Sequence, residues 1–145
     1  TICDYYRKDK RYLFTFDEKV HIIEEMTLGI AGAEIDLVEK GKGSKWRTFD
    51  TVEYFKKKFP QDELYLIIGE DSLSYFDTWF RYDDILNMCE LMVVNRGAVV
   101  ETSIPYVSLD IGEKFEESSS TNVRQKLIEE LIELYLSDKN WYGSV

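Results

Sequence analysis

Residues 64–94 read LYLIIGEDSLSYFDTWFRYDDILNMCELMVV, with a continuous apolar run at each end of the stretch. The runs, residues 64–68 and 91–94, are rich in aliphatic side chains, which is typical of strands covered on both faces of a sheet. A helical segment over residues 82–89 lies between them. Strand, crossover and strand predict a right-handed βαβ unit with parallel strands.

The rest of the chain continues the alternation of helices and strands. Residues 15–29 predict a helix with Thr15 and Glu18 as a capping box and Gly29 as its end. Three residues form its apolar face at helical spacing: Val20, Ile23 and Met26. The alternating pattern of residues 33–39 predicts a short strand.

Two more helices and one more strand complete the predicted elements. Residues 48–59 predict a helix that Pro60 ends, and its apolar face consists of Val52, Phe55 and Phe59. A strand is expected near residues 104–109, and a final helix follows residue 118. We therefore predict one α/β domain over residues 1–145, doubly wound and Rossmann-like with a parallel sheet.

The charge of the chain limits its partners. It carries 28 acidic and 18 basic side chains, a formal net charge of −10, which disfavours binding to nucleic acid or to an anionic membrane. No apolar run approaches the ~20 residues of a membrane span. Cys3 and Cys89 have no metal-binding spacing and are predicted to be buried thiols of a reducing compartment. We expect a cytoplasmic protein.

Acidic and aromatic residues follow the first buried strand at Gly69. Ligands bind outside the carboxyl ends of the strands in such sheets. Gly69 allows close approach of a ligand to the backbone, Asp71 offers oxygens to a ribose or a metal, and Trp79 with Phe80 offers flat rings for stacking. The alternative is that Asp71 or Ser72 only caps a helical turn while the aromatic rings fill the core.

A second constellation, SSSTNVR over residues 118–124, places hydroxyls and Arg124 at the start of the last helix. Backbone N–H groups, the helix dipole and a guanidinium together favour phosphate binding. The alternative is a plain helix cap with a solvent-facing arginine. A weaker basic cluster, RKDKR over residues 7–11, is either a loop over an anion or a solvated loop.

Together these motifs resemble the nucleotidylyltransferase superfamily, and within it the bacterial-type nicotinate mononucleotide adenylyltransferases. SSSTNVR is similar to the late I-S-S-T-x-I/V-R signature, with Ser118 where isoleucine is usual. YLIIGEDSLSYFDTWFRYDDIL resembles the family's strand, G-x-D-S-L, T-W and helix in order. WRTFDTVEYF resembles the Y-T-x-D-T-L segment, and VVNRG and a late LY add support. The matches run from about residue 12 to the C-terminus.

The resemblance implies transfer of AMP from ATP to nicotinate mononucleotide, which gives deamido-NAD and pyrophosphate in NAD biosynthesis. Mg²⁺ would accompany ATP as the cofactor, and a homo-oligomer is compatible with the family. Two alternatives stay open. One is another adenylyltransferase, such as phosphopantetheine adenylyltransferase, although Trp79 in its DTW context speaks against that acceptor. The other is a non-catalytic nucleotide-binding module of the same fold.

Roles for the acceptor side follow from the resemblance, position by position. Thr48 and the backbone around Trp79 and Phe80 would hold the nicotinate, with Trp79 stacked on the ring. Backbone N–H donors there would favour the acid over the amide. Gly69 would let the substrate approach the protein backbone, and Asp71 would contact its ribose.

Roles for the phosphate side follow in the same way. Arg96 is expected to reach a substrate phosphate. Five residues are expected to bind the ATP phosphates: Lys10, Ser119, Ser120, Thr121 and Arg124. Of these, Ser120 and Arg124 are the predicted catalytic residues.

One family motif has no counterpart in the chain. The head motif G-x-F-x-P-x-H-x-x-H is missing, and the single histidine, His21, lies in the amphipathic helix of residues 15–29. The two strands, loop and helix that carry this motif would require roughly 35 residues upstream of Thr1. We therefore expect the protein to be longer, and the 145 residues alone to be incompletely folded and inactive.

Overall fold

A computed structural model describes residues 1–2, 14–95 and 100–110. The helices and strands in these ranges are α1 (Phe16–Thr27), α2 (Thr48–Lys58), β1 (Tyr65–Gly69), α3 (Glu70–Leu73), α4 (Tyr82–Met88), β2 (Glu90–Asn95) and β3 (Val107–Asp110). Two 3₁₀ turns, Gly43–Lys45 and Phe76–Thr78, lie in the loops. The predicted final helix lies outside the described residues.

The three strands form one parallel sheet in the order β1-β2-β3. Gly69 at the end of β1 is paired with Val94, and Asn95 at the end of β2 is paired with Asp110. The carboxyl ends of all three strands therefore meet at one edge. This arrangement confirms the parallel βαβ pairing and the Rossmann-like α/β class, while the right-handed crossover stays a prediction.

The core lies between the sheet and the helices α2 and α4, which pack on each other. Its buried members are Phe49, Val52, Ile68, Leu73, Phe76, Ile85, Cys89, Leu91 and Val93. On β2, Leu91 and Val93 are both buried because residues two apart point to the same face of a strand. Burial of each such side chain contributes about 1.5–3 kcal/mol.

The prediction that the first apolar run is covered on both faces is wrong for β1 in the described structure. Ile68 is buried against the core, whereas Ile67 is 60% exposed and Tyr65 is also exposed. Successive side chains of a strand point to opposite faces, and the described helices cover only the face of Ile68.

The predicted strand over residues 33–39 is also wrong, because these residues form an irregular segment and turns. The Asp36 carboxylate accepts a hydrogen bond from the Val38 N–H at 2.8 Å, which gives the backbone a local alternative to a sheet ladder. Lys58 at the end of α2 donates to the same carboxylate at 2.8 Å, and this hydrogen bond lowers the pKa of Asp36.

The two long helices start and end as predicted, and of their predicted apolar faces Val52 is buried whereas Met26 and Phe59 are exposed. The capping box is confirmed, since the Thr15 N–H donates to Glu18 at 2.7 Å and the Glu18 N–H donates back to the Thr15 hydroxyl. Met26 is 72% exposed, and Phe16 is the one buried residue of α1. In α2 the exposed Phe59 lies past the last turn, at the cap.

Cys89 confirms half of the cysteine prediction. It is a free thiol in the core, donating to the Ile85 carbonyl at 3.3 Å, and burial raises its pKa to about 11. Cys3 lies outside the described residues. Across the ranges that the structure describes, no helix has both the length and the apolar character to cross a membrane.

Candidate nucleotide-binding site

A cleft of about 690 Å³ opens beside β1, next to the start of α2. We call it the tryptophan cleft. Polar and aromatic residues of two segments line it: Trp46, Arg47, Thr48, Thr78, Trp79 and Phe80. The strand β1 contributes Leu66, Ile67 and Ile68. Its volume is typical of a site for a small organic ligand.

The N-terminus of α2 lies at the edge of the tryptophan cleft, because Thr48 is both the first residue of this helix and a lining residue. The Arg47 carbonyl accepts from the Asp50 and Thr51 amides, and the Asp50 carboxylate accepts from the Arg47 N–H at 2.8 Å. Among the described residues, the Thr48 and Phe49 amides have no hydrogen-bond acceptor. Such free amides at the positive end of a helix dipole favour an anionic group.

The segment with Trp79 is held by its own backbone. The Trp79 N–H donates to the Phe76 carbonyl at 3.0 Å, and the Trp79 carbonyl accepts from the Tyr82 N–H at 3.2 Å. The Trp79 ring lies 4.9 Å from the buried Phe76 ring. The Trp79 amide is therefore engaged within the protein, and a ligand role for the backbone around Trp79 and Phe80 stays a prediction. The Phe80 amide has no acceptor within the described ranges.

Two arginines lie on a pair of aromatic rings that connects α2 with the segment after β1. Phe49 and Phe80 meet edge to face, with ring centres 6.0 Å apart. The Arg47 guanidinium lies 5.6 Å from the centre of the Phe80 ring, and the Arg81 guanidinium lies 3.9 Å from that of Phe49. Arg81 has a left-handed backbone, with φ of 55°, and its Nε donates to Asp84 at 2.6 Å.

Trp46 is fixed by a short chain of hydrogen bonds. Its indole N–H donates to the Thr51 hydroxyl at 2.8 Å, and that hydroxyl donates to Glu39 at 3.1 Å. Thr51 is buried, whereas Trp46 and Glu39 are half-buried. All three residues line the tryptophan cleft, and this chain ties the loop before α2 to the helix itself.

A second cleft, of about 460 Å³, lies beside the start of α4. We call it the acidic cleft, because the charged side chains along its described lining are all carboxylates: Asp77, Asp83 and Glu101. Tyr82 also lines it, and the neighbouring Asp83 carboxylate raises the pKa of this phenol. The acidic cleft therefore disfavours an anionic ligand.

The structure brings together three of the predicted site residues, Thr48, Trp79 and Phe80, and leaves two others outside both clefts. Gly69 ends β1 and precedes α3 with φ of −81° and ψ of 158°, a conformation open to any residue. Asp71 is exposed in α3. Since Gly69 is the N-cap of α3, the alternative that Asp71 or Ser72 caps this turn is wrong.

The aromatic rings after β1 divide between the core and the surface. Phe76 is fully buried in the core, and Tyr82 meets it edge to face at 6.3 Å. Tyr75, by contrast, is exposed. This ring follows a short helical turn and lies only 6.4 Å from Trp79, at the surface.

Sequence reasoning missed Arg47 and Trp46, which line the tryptophan cleft, and the nearby Arg81, which does not line it. The one available signal was the WR dipeptide directly before Thr48. The remaining predicted site residues lie outside the described residues: Lys10, Arg96, Ser119, Ser120, Thr121 and Arg124. Within the described part of the chain, no group of three His, Cys, Asp or Glu side chains is arranged to hold a metal ion.

The parallel sheet with its helices defines a Rossmann-like α/β protein, and the tryptophan cleft at a helix N-terminus is its candidate site for a small anionic molecule. The chain belongs to the cytidylyltransferase-like family, whose sequence profile matches residues 3–126. This match confirms the resemblance to the nucleotidylyltransferases.

Three relatives show how far the similarity extends. The chain is 31% identical over 142 residues to the nicotinate-nucleotide adenylyltransferase of Bacillus subtilis (strain 168), covering 89% of the chain and 74% of the relative. It is 32% identical over 125 residues to a probable nicotinate-nucleotide adenylyltransferase of Listeria monocytogenes serotype 4b, covering 86% and 65%. A probable Bacillus licheniformis enzyme of the same name is 36% identical over 110 residues, covering 73% and 58%. The chain thus spans about three fifths to three quarters of these relatives.

Proposed function

We propose that the full-length protein transfers AMP from ATP to nicotinate mononucleotide, giving deamido-NAD and pyrophosphate in NAD biosynthesis. The relatives described above are named nicotinate-nucleotide adenylyltransferases. The cellular setting in this proposal is the cytoplasm, with small molecules rather than nucleic acid as partners, and with a homo-oligomer compatible with it.

The observation that carries the proposal is the composition of the tryptophan cleft. Trp79 supplies a half-buried ring held against Phe76, and stacking of a heteroaromatic ring on such a side chain is worth about 1–3 kcal/mol. Thr48 and Phe80 add backbone amides without acceptors among the described residues. A flat ring that bears a carboxylate, such as nicotinate, matches both features.

In the proposed reaction, an oxygen of the nicotinate mononucleotide 5′-phosphate attacks the α-phosphorus of ATP. A new P–O–P bond forms, the bond between the α-phosphorus and the β-bridging oxygen breaks, and pyrophosphate leaves with the electron pair. The protein then contributes alignment of the two phosphates and stabilisation of charge.

The phosphate side of the proposal rests on residues named from the sequence. Ser119, Ser120, Thr121 and Arg124, with Lys10, would bind the ATP phosphates, and Arg96 would contact the acceptor phosphate. Gly69 at the end of β1 would let the substrate approach the protein backbone, and Asp71 would contact the ribose. Mg²⁺ would enter on the ATP phosphates and neutralise part of their charge when bound.

The proposal is tested by release of pyrophosphate from the full-length protein with ATP and nicotinate mononucleotide. Parallel reactions with phosphopantetheine and with nicotinamide mononucleotide define the acceptor. Turnover with nicotinate mononucleotide is the expected result. Binding of this nucleotide in calorimetry without any turnover would favour a non-catalytic module, and turnover confined to phosphopantetheine would identify a different adenylyltransferase.

A further inference from the structure

We infer that Arg47 determines the preference of the tryptophan cleft for an acidic pyridine ring over the corresponding amide. The inference rests on the proposed function, because it concerns the acceptor substrate of the same site. Arg47 would supply a positive charge to the cleft, which the uncharged backbone amides do not supply.

Arg47 lies in the cleft with its charge available. It lines the tryptophan cleft directly before Thr48 and is exposed. Its guanidinium lies 5.6 Å from the centre of the Phe80 ring. This contact orients the side chain and, unlike an ion pair, does not neutralise its charge. Among the described ion pairs, Arg47 has no acidic partner within 4.0 Å.

Arg81 provides the internal contrast. It lies on the other ring of the same aromatic pair, 3.9 Å from the centre of Phe49, but its Nε is bonded to Asp84 at 2.6 Å. It is also absent from the lining of the tryptophan cleft. Each arginine therefore lies on one ring of the pair, Arg81 more closely, and of the two only Arg47 has no carboxylate partner among the described residues.

The chemistry of the two candidate acceptors makes this charge decisive. A pyridine carboxylate and a pyridine carboxamide have nearly the same shape, and each has an oxygen that can accept from the Thr48 or Phe80 amide. They differ by one negative charge, which a nearby guanidinium favours by Coulomb attraction. Glu39 in the same cleft opposes an anion, and Arg47 offsets this repulsion.

The experiment measures kcat/KM of the full-length protein for nicotinate mononucleotide and nicotinamide mononucleotide in four forms: wild type, Arg47→Gln, Arg47→Lys and Arg81→Gln. Both Gln variants remove one positive charge near the same ring pair. We expect Arg47→Gln to lower kcat/KM for the acid about tenfold, chiefly through KM, and to leave the amide within about twofold.

The other two variants separate charge from packing. Arg47→Lys keeps the charge and is expected to retain most of the acid preference, while Arg81→Gln should change the acid-to-amide ratio by less than about twofold. Raising ionic strength should increase KM for the acid in the wild type and have less effect in Arg47→Gln. Equal losses for acid and amide in Arg47→Gln would overturn the inference, since they indicate a purely structural role.

Failure of the proposed function gives a different result. Absence of turnover with either nucleotide would refute the enzymatic proposal, and calorimetric titration of the same four forms with the two nucleotides would then decide the role of Arg47. Loss of acid preference in Arg47→Gln supports the inference, and retention of that preference overturns it. A wild-type protein that binds neither nucleotide would overturn both proposals.

Discussion

The tryptophan cleft and the acidic cleft lie in the same part of the fold, near the chain between β1 and β2, and both are large enough for a small molecule. The first contains a helix N-terminus, the Trp79 ring and one charge of each sign, Arg47 and Glu39. The charged side chains that line the second are all acidic: Asp77, Asp83 and Glu101. Volume does not separate these two sites. The two clefts differ in charge and in available hydrogen-bond donors. Both differences favour the tryptophan cleft over the acidic cleft for an anionic aromatic ligand.

Phe76 is the structural link between the clefts, and its truncation should have the largest effect. Its ring is fully buried and touches Trp79 of one cleft and Tyr82 of the other. We expect Phe76→Ala to lower the free energy of unfolding by about 3–5 kcal/mol, as for other buried phenylalanines. Urea denaturation of the full-length protein measures this change.

The exposed neighbour Tyr75 is the matched control for Phe76. Tyr75→Ala should alter the free energy of unfolding by no more than about 0.5 kcal/mol, as is usual for surface positions. Similar losses in the two variants would show that the segment does not depend on its buried ring.

Trp79→Ala should have the next largest effect and should act on one cleft alone. We expect KM for nicotinate mononucleotide to rise about 10- to 100-fold, because a stacking surface is lost. Trp79→Phe keeps a ring and should recover much of the loss. Steady-state kinetics of pyrophosphate release measure both variants. An unchanged KM in Trp79→Ala would remove Trp79 from the site.

Cys89 belongs to the core and lines neither of the two clefts. Its titration should therefore affect the free energy of unfolding without affecting either cleft. Burial raises its pKa from 9.0 to about 11, so the unfolded chain loses this proton at lower pH than the folded chain. Its contribution to stability should be complete below pH 9 and should fall as pH rises towards 11. Urea denaturation at several pH values measures the slope.

Cys89→Ala serves as the comparison for that slope. The variant should be less stable at every pH, but its stability should decline less steeply than that of the wild type over the same alkaline range. Parallel declines in the two proteins would show that other groups account for the pH dependence.

Charge removal in the acidic cleft should have the smallest effect on catalysis. Asp77→Asn and Glu101→Gln are expected to change kcat/KM for nicotinate mononucleotide by less than about twofold, since surface charges away from a ligand act weakly. Kinetic assays at fixed ionic strength test this. A loss comparable with that of Trp79→Ala would place the acceptor in the acidic cleft instead.

The regular elements could be predicted from the sequence because local signals determine them. Thr15 and Glu18 form the capping box that their spacing predicts, and the two apolar runs pair in parallel. The segment of residues 33–39 misled this reasoning. Its alternation is typical of a strand, but the Asp36 side chain bonds to the nearby Val38 amide and favours a turn.

The site was only partly predictable because its electrostatics come from contacts between distant residues. Thr48, Trp79 and Phe80 were named from motifs, and they line one cleft. The position of Arg47 on Phe80 depends on how α2 packs beside the segment after β1, which no local pattern encodes. The ion pair of Arg81 with Asp84 is local by contrast, since the two residues are three positions apart.

Binding of nicotinate mononucleotide in the tryptophan cleft can be measured by NMR titration of the full-length protein with this nucleotide. The indole N–H signals of Trp46 and Trp79 and the amide signal of Phe80 should shift, while the amides of Glu101 and Ser103 in the acidic cleft should stay unchanged. Shifts at Glu101 and Ser103 with unmoved Trp46 and Trp79 signals would contradict the assignment.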